Sequence, residues 1–368
     1  LIFNGFSVIK FTGLMHDTII KVWNNELRFL RWALYIPLSL LALIYRVLLS
    51  LREYGYKRGF FKTAKAAVFV ISVGNLTLGG TGKTSVVERL ATRLKEIGMN
   101  PGIVTRGYKR KRKGTFCVDI KKDSAHDVGD EAFMLAHRTR LPVLVGDKKH
   151  EAVEMGIRDF NIDVAILDDG FQTRVIKKDL EIVVIQGGNP SVNTDLFPLG
   201  PYREPIKSIK RADIALIHKG EPNHMLDLMT MGIPRFRMRY KPAYLYNIRH
   251  DMIAHYNLLK EKNILAFSGL GDNASFFKMI GDLGGRIIYK IPFPDHHDYS
   301  VRDIKRLSAF KDIDLMVTTA KDAVKIHKSH APEKLFYLAV DIEIERENEF
   351  MGNILSRIQQ SRFKTYVQ

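Results

Sequence analysis

From Ala66 onward, short β-branched and aliphatic runs alternate with stretches in which apolar residues recur every three to four positions. That alternation predicts a parallel sheet whose strands are joined by crossover helices. Ala67 to Val73, Gly102 to Thr105, Pro142 to Val145, Val164 to Leu167, Ile182 to Ile185 and Ile214 to Ile217 read as strands. Between them, Thr84 to Ile97, Glu131 to Arg138 and His150 to Phe160 read as helices. A second block has strands at Ile264 to Phe267, Ile287 to Ile291, Leu315 to Thr318 and Phe336 to Val340, with a helix at Ala274 to Leu283. Two α/β lobes are therefore expected, over 66–218 and 219–344. Lys219 to Arg249, rich in Met, Pro, Tyr and Arg, lacks clean periodicity and reads as the connection. Glu345 to Arg362 reads as a helix, and the segment 345–368 can pack back on either lobe, the first by preference.

Ahead of these blocks, Trp32 to Tyr45 is unbroken by charge, and the apolar pattern runs past Arg46 to Leu51. A comfortable bilayer span needs about 20 apolar residues, and Arg46 and Pro37 interrupt this one. The first 65 residues carry ten Lys or Arg against three acids. Basic flanks around an apolar helix suit an anionic leaflet. The expectation is a membrane-associating helix within 1–65, peripheral or monotopic; a buried core helix is the alternative. No small-residue cleavage site follows the apolar stretch, which argues against a removable signal peptide.

The chain has 368 residues, enough for two packed lobes, and its formal charge of +17 calls for a polyanionic partner. Charge alone does not choose among nucleic acid, anionic lipid and phosphorylated substrate. The single cysteine, Cys117, excludes an intramolecular disulfide and a multi-thiolate zinc site. It reads as a small filler in a strand.

The strongest local signal is GNLTLGGTGKT, Gly74 to Thr84, directly after an apolar strand and before a helix. That is the setting of a phosphate loop. Gly79, Gly80, Thr81 and Gly82 turn backbone N–H groups toward phosphate oxygens, Lys83 reaches the β and γ phosphates, and Thr84 holds Mg²⁺. The strict pattern asks for glycine where Thr77 stands. A glycine-rich helix cap is the bland alternative. Further along, the strand Val164 to Leu167 ends in Asp168 and Asp169, where a neighbouring strand would complete the Mg²⁺ shell. Acidic turn residues are the alternative there.

LDDGFQ from Leu167 to Gln172, together with the glycine loop, resembles the lipid A 4'-kinase (tetraacyldisaccharide 4'-kinase) family. TRGYKR from Thr105, VGDEAFMLA from Val128, PLGPYREP from Pro198, AFSGLGD from Ala266, FPDHHDYS from Phe293 and TTAKDAVKI from Thr318 follow in the family's order. The match spans about Ser72 to Lys325. The resemblance implies a P-loop NTPase-like α/β fold and transfer of the γ-phosphate of ATP to the 4' hydroxyl of a lipid A disaccharide precursor. It also implies the cytoplasmic face of the inner membrane as the place of work. Asp130 matches the family's general base and His296 its histidine partner, with Lys83 completing the catalytic set. Glu131, Arg203 and Glu204 match positions at the substrate, and Gln172 one at the nucleotide. After PVLVG, where the family commonly presents an arginine, Lys148, Lys149 and His150 stand, and Lys149 is the implied substrate contact, a point charge in place of a bidentate one.

Read without the resemblance, Asp130 is a helix N-cap after Gly129, and Arg203 and Glu204 lie in a turn between prolines. His296 and His297 are not a metal pair, because adjacent side chains of an extended chain point apart. The run Lys109 to Lys113 reads equally as a lipid or phosphate contact and as a solvated loop. Two other functions fit parts of the pattern: a nucleic-acid-dependent ATPase and a nucleotide-regulated membrane scaffold. The clustering of basic residues around an apolar helix, without a stacking platform of interleaved aromatics, argues against nucleic acid.

Overall fold

The computed structural model describes residues 19, 22–23, 27–187, 194–220 and 224–366. Helix α1 (Arg28–Lys57) leads into β1 (Phe69–Gly74), α2 (Lys83–Glu96), β2 (Pro101–Thr105) and the short β3 (Phe116–Cys117). Then come α3 (Ala125–Val128), α4 (Asp130–Thr139), β4 (Val143–Val145), α5 (Lys149–Phe160), β5 (Val164–Asp168), β6 (Leu180–Gln186) and β7 (Ile214–His218). The remainder holds α6 (His224–Met229), β8 (Arg235–Asn247), β9 (Met252–Ala254), β10 (Asn263–Ser268), α7 (Asn273–Asp282) and β11 (Arg286–Pro292). It ends with α8 (Val301–Ser308), β12 (Leu315–Thr319), α9 (Ala320–Ala323), β13 (Leu335–Ile344) and α10 (Glu347–Tyr366).

All strands join one 13-stranded sheet in the order β11-β10-β12-β13-β8-β7-β6-β1-β5-β2-β4-β3, with β9 on the side of β8. The central strands β1 and β5 are buried along their whole length, which explains their unbroken apolar runs. β1 lies between β5 and β6, parallel to both, and its register pairs Val73 with Asp168. The glycine loop and the acidic pair thus leave adjacent strands at the same edge of the sheet.

The segment expected to be a connection contains β8. Its start pairs parallel with β7 and the rest antiparallel with β13, so one strand carries the sheet from one half to the other. Arg235 to Tyr240 alternates polar and apolar residues in register with burial, a strand signal of period two. The signal fades at Pro242, which lies where the pairing with Val340 shifts register. Proline has no N–H for the ladder and is tolerated at such irregularities. The hydrophobic interior still divides. One cluster is built around Ile71, Leu90, Ile166 and Ile182, and two others lie on either face of β10, β12 and β13.

α10 returns to the first of these cores. Phe350, Ile354 and Ile358 are buried there with Phe236, and Glu347 takes both arms of Arg89 at 2.7 Å. α1 behaves otherwise. Trp32 to Lys57 is 26 residues, long and apolar enough to cross a membrane: an 18-residue stretch within it has a mean hydropathy of 2.0, yet only 6% of that stretch is buried. Trp32, Ile36, Leu40, Leu43 and Leu48 are exposed, while Tyr45 and Leu49 pack on the protein. The expected alternative of a buried core helix is thereby excluded.

Candidate active site

The loop between β1 and α2 is fixed at both ends. β1 is buried, and α2 turns Val86, Val87, Leu90, Ala91 and Leu94 into the core. Gly82 takes φ 83° immediately before Lys83. A Cβ there would approach Tyr240 Oη at 2.7 Å and Met238 Cε at 3.0 Å, so both conformation and space require glycine. Gly82→Ala is expected to cost about 1–3 kcal/mol of stability and to weaken ATP binding. Thermal unfolding and nucleotide titration check this, and a variant unchanged in both would show that the loop tolerates a side chain.

Lys83 Nζ donates to Asn75 Oδ1 at 3.0 Å and lies 3.5 Å from Asp169 Oδ1. Asp169 also takes Arg203 Nη1 on both oxygens, at 3.0 and 2.9 Å. Burial works against its ionisation, but Lys83 and Arg203 outweigh it and hold the carboxyl at about 2. Asp168 behaves oppositely. Burial, then the Glu131 and Asp169 carboxylates, push it up to about 7. Its Oδ1 is buried without a hydrogen-bond partner, and Oδ2 has only Thr105 Oγ1 at 3.5 Å. A starved carboxylate oxygen beside a second carboxylate is the donor set that a hard divalent cation completes. Asp168, Asp169 and the Thr84 hydroxyl position therefore fit Mg²⁺. Among the described residues, no three His, Cys, Asp or Glu side chains form a closed metal cage.

Across the cleft, Gly129 at φ 97° is the N-cap of α4, and Asp130 is the first residue inside the helix rather than its cap. Its Oδ2 lies 3.1 Å from His296 Nδ1 and 3.3 Å from Lys325 Nζ. Burial raises the Asp130 pKa, but His296 and Lys325 outweigh burial and leave it below the ordinary carboxylate value. The Tyr108 ring packs 5.1 Å from the His296 ring. Asp130 and His296 come from opposite halves of the sheet and face one another where α9 packs on α4. The glycine loop, the acidic pair and the Asp130–His296 pair line one cleft of about 3190 Å³.

A family profile described as Tetraacyldisaccharide-1-P 4'-kinase matches residues 34–359. The tetraacyldisaccharide 4'-kinase of Aquifex aeolicus is 36% identical over 319 residues, 86% of this chain and 96% of its own. That of Desulfatibacillum aliphaticivorans is 31% identical, covering 88% and 92% respectively. This chain belongs to the tetraacyldisaccharide-1-P 4'-kinase family. A crystal structure of LpxK from Aquifex aeolicus in complex with ATP superposes with a TM-score of 0.74 and 33% identity. The superposition covers 89% of this chain and 99% of that one.

Within this kinase fold, several residues expected at the nucleotide or substrate have protein partners. Gln172 lines the cleft but bridges inward, donating to the Asn75 carbonyl at 2.8 Å and accepting from Arg203 at 3.2 Å. Lys149 is 7% exposed and donates to the Asp168 carbonyl and, at 2.8 Å, to that of Asp169. Burial lowers its pKa to about 8 against the pull of the acidic pair. It ties down the end of β5 rather than presenting a free charge.

Glu204 requires a correction of position. It is 4% exposed, does not line the cleft, and is held by Arg211 at 2.7 Å and by Arg52 of α1 at 3.4 Å. Its neighbour Arg203 offers its carbonyl to Tyr45 Oη of α1 at 2.8 Å. The PYREP turn therefore joins the apolar helix to the acidic pair. In the basic run, Arg110 pairs with Asp147 and Arg112 with Asp123, leaving Lys109, Lys111 and Lys113 exposed. Cys117 is a free, half-buried thiol in β3. The sequence reading assigned no role to Asn75, Lys321 or Lys325, although TTAKDAVKI had already marked the stretch that holds the two lysines.

Proposed function

We propose that this protein transfers the γ-phosphate of ATP to the 4' hydroxyl of a tetraacyldisaccharide 1-phosphate, a lipid A precursor, at the surface of the bacterial inner membrane. The observation that carries this is the meeting, in one cleft, of a phosphate loop with a carboxylate–imidazole pair. An exposed apolar helix adjoins that cleft through Arg52 and Tyr56. A kinase for a soluble acceptor has no use for such a helix.

Backbone N–H groups of Gly79 to Gly82 and the Lys83 ammonium bind and orient the phosphates. Mg²⁺, when bound at Thr84, Asp168 and Asp169, neutralises charge on the phosphate oxygens. The sugar hydroxyl oxygen forms the new bond to the γ-phosphorus as the bond to the β-phosphate oxygen breaks and ADP leaves. The proton of that hydroxyl passes to Asp130, whose carboxylate His296 orients. Glu131, beside Asp130, faces the sugar. α1 keeps the acyl chains in lipid while the head group reaches Asp130, and cleft closure excludes water as competing acceptor.

Incubating the purified protein in detergent with radiolabelled ATP and the disaccharide 1-phosphate lipid, followed by chromatography, tests the assignment directly. A labelled lipid is expected; label found only in inorganic phosphate would overturn it. Membrane docking has its own test. Deleting α1 would also remove the Tyr45–Arg203 and Arg52–Glu204 contacts, so outward substitutions are cleaner. Ile36→Asp with Leu43→Asp is expected to abolish sedimentation with anionic vesicles and to leave hydrolysis of ATP in detergent within about twofold, since each carboxylate costs about 2.5–3.5 kcal/mol in a bilayer centre. Equal loss of both activities would count against docking through this face.

A further inference from the structure

Two lysines of the TTAKDAVKI segment surround the proposed base pair, and nothing in the phosphate-binding machinery uses them. Lys321 Nζ lies 3.2 Å from His296 Nε2, 3.1 Å from Asp295 Oδ1 and 3.6 Å from Glu131 Oε1. Lys325, 4% exposed, lies 3.3 Å from Asp130 and 3.2 Å from Asp322 Oδ1, and donates to the His297 carbonyl at 3.0 Å. Asp322 is wholly buried and locked: its Oδ2 accepts from the Gly269 N–H at 2.9 Å and from Thr319 Oγ1 at 2.7 Å.

We infer that Lys321 and Lys325 are positioning residues for phosphoryl transfer: Lys321 sets the tautomer of His296, and Lys325, anchored by Asp322, holds Asp130 ionised and aimed at the acceptor. The inference deepens the function proposed above and rests on the Asp130–His296 reading. An ammonium has only donors. At Nε2, Lys321 can therefore bond only to a lone pair. The imidazole proton is thereby confined to Nδ1, where it donates to Asp130 Oδ2. The base then keeps its other oxygen for the sugar hydroxyl. Were the tautomer reversed, two lone pairs would face each other across 3.1 Å.

Lys325 supplies the second constraint. The charged groups around Asp130 are Glu131 on its own helix, Asp295 and His296 from the loop after β11, and Lys321, Asp322 and Lys325 from the α9 turn. Lys321 is shared among Asp295, Glu131 and the imidazole, so Lys325 is the cation in direct contact with Asp130. Its ammonium lies over the Tyr299 ring, 5.6 Å from Nζ to centroid. Asp322, fixed by main chain and Thr319, prevents the ammonium from collapsing onto Asp130 alone. Burial would otherwise raise the Asp130 pKa. Without Lys325, His296 alone would oppose burial and the Asp130 carboxyl would rise.

The test is the pH profile of kcat/KM for lipid phosphorylation in Lys325→Met, Lys325→Arg and Asp322→Asn, beside Asp130→Asn, with thermal unfolding followed throughout. Lys325→Met is expected to move the acidic limb upward by about one pH unit, as loss of one contacting charge should. Its kcat should fall at least tenfold, with the KM for ATP within twofold of wild type. Lys325→Arg should restore the limb, and Asp322→Asn, which removes a neighbouring carboxylate and lets the ammonium close on Asp130, should move it the opposite way from Lys325→Met. Should Lys325→Met fail to fold, Asp322→Asn and the ring-nitrogen NMR spectrum of Lys321→Gln decide. That spectrum should show mixed His296 tautomers where wild type shows Nδ1–H alone.

Wild-type limbs and kcat in folded Lys325→Met and Asp322→Asn, beside an inactive Asp130→Asn, overturn the Lys325 part and leave the base pair standing. An unchanged His296 tautomer in Lys321→Gln overturns the Lys321 part. Full turnover by Asp130→Asn overturns the base pair itself, and the inference with it.

Discussion

Asp130→Asn is expected to lower kcat for lipid phosphorylation by about 10²–10⁴-fold, the usual worth of a positioned general base, while ATP affinity stays within about twofold. The amide keeps the size of the side chain but cannot take the hydroxyl proton. It also removes the charge against which His296 and Lys325 are set. Nucleotide binding is spared because the phosphate loop has no contact with Asp130. Equilibrium binding of a fluorescent ATP analogue, beside single-turnover phosphorylation, separates the two quantities. A parallel fall in ATP affinity would show that Asp130 supports the loop and not the chemistry.

The same substitution has a pH signature in stability. The Asp130 carboxyl is held below its ordinary value in the folded protein, so the unfolded chain binds the proton more readily. Stability from its contacts with His296 and Lys325 is then fully present above the unfolded value of about 4 and lost as pH falls through the lower folded value. The difference in thermal midpoint between wild type and Asp130→Asn should therefore be widest near neutrality and shrink below about pH 4. A difference that grew on acidification would contradict the direction of the shift.

Lys83→Ala is expected to abolish labelling of the lipid, with kcat/KM reduced about 10²–10³-fold or more, the scale for removing one preorganised donor from a transferring group. Two consequences combine. The phosphates lose their point charge, and Asp169 loses the first of the cations that hold it at about 2, keeping Arg203 and Lys149. Part of the loss should appear as weaker Mg²⁺–ATP binding, read by titration at several Mg²⁺ concentrations. Radiolabel reaching the lipid at the wild-type rate would dissolve the assignment of the glycine loop.

The parts of this protein that could be read without coordinates are those whose causes are local. β1, the glycine loop and α2 are contiguous, and each step follows from residues within one turn of it: the buried apolar run, the glycine that alone takes φ 83°, the amphipathic helix. Asp168 was legible for a similar reason, since a buried strand must end and a carboxylate at its end stands beside the loop in a parallel sheet. β8 was harder. Its alternation covers only Arg235 to Tyr240 before Pro242 and a run of tyrosines blur it, and its two partners lie far off in sequence.

Asp130 and His296 are 166 residues apart. Only the family resemblance linked them, because no pattern of spacing constrains two side chains brought together by packing. The same limit explains Lys149 and Glu204. Their identity suggested charges facing a ligand, but direction is set by what surrounds them: two main-chain carbonyls in one case, two arginines in the other. The exposed face of α1 lies between these extremes. Its hydropathy was visible, but that its apolar face stays uncovered depends on the absence of packing partners along it among the described residues.

Taken by itself, then, the order of residues determined the alternation of strands and helices, the phosphate loop with Lys83 and Thr84, the carboxylates at the end of β5 and the apolar character of α1. Each of these follows from steric and hydrophobic preferences acting over a few residues. The tertiary structure alone decided that one sheet runs through both halves, that α10 closes the first core, and that α1 is pinned to the PYREP turn. It also decided that Asp130 is flanked by His296, Lys321 and Lys325. These depend on burial and on charges meeting across long stretches of chain, where a carboxylate is tuned by whichever groups packing brings within about 4 Å of it.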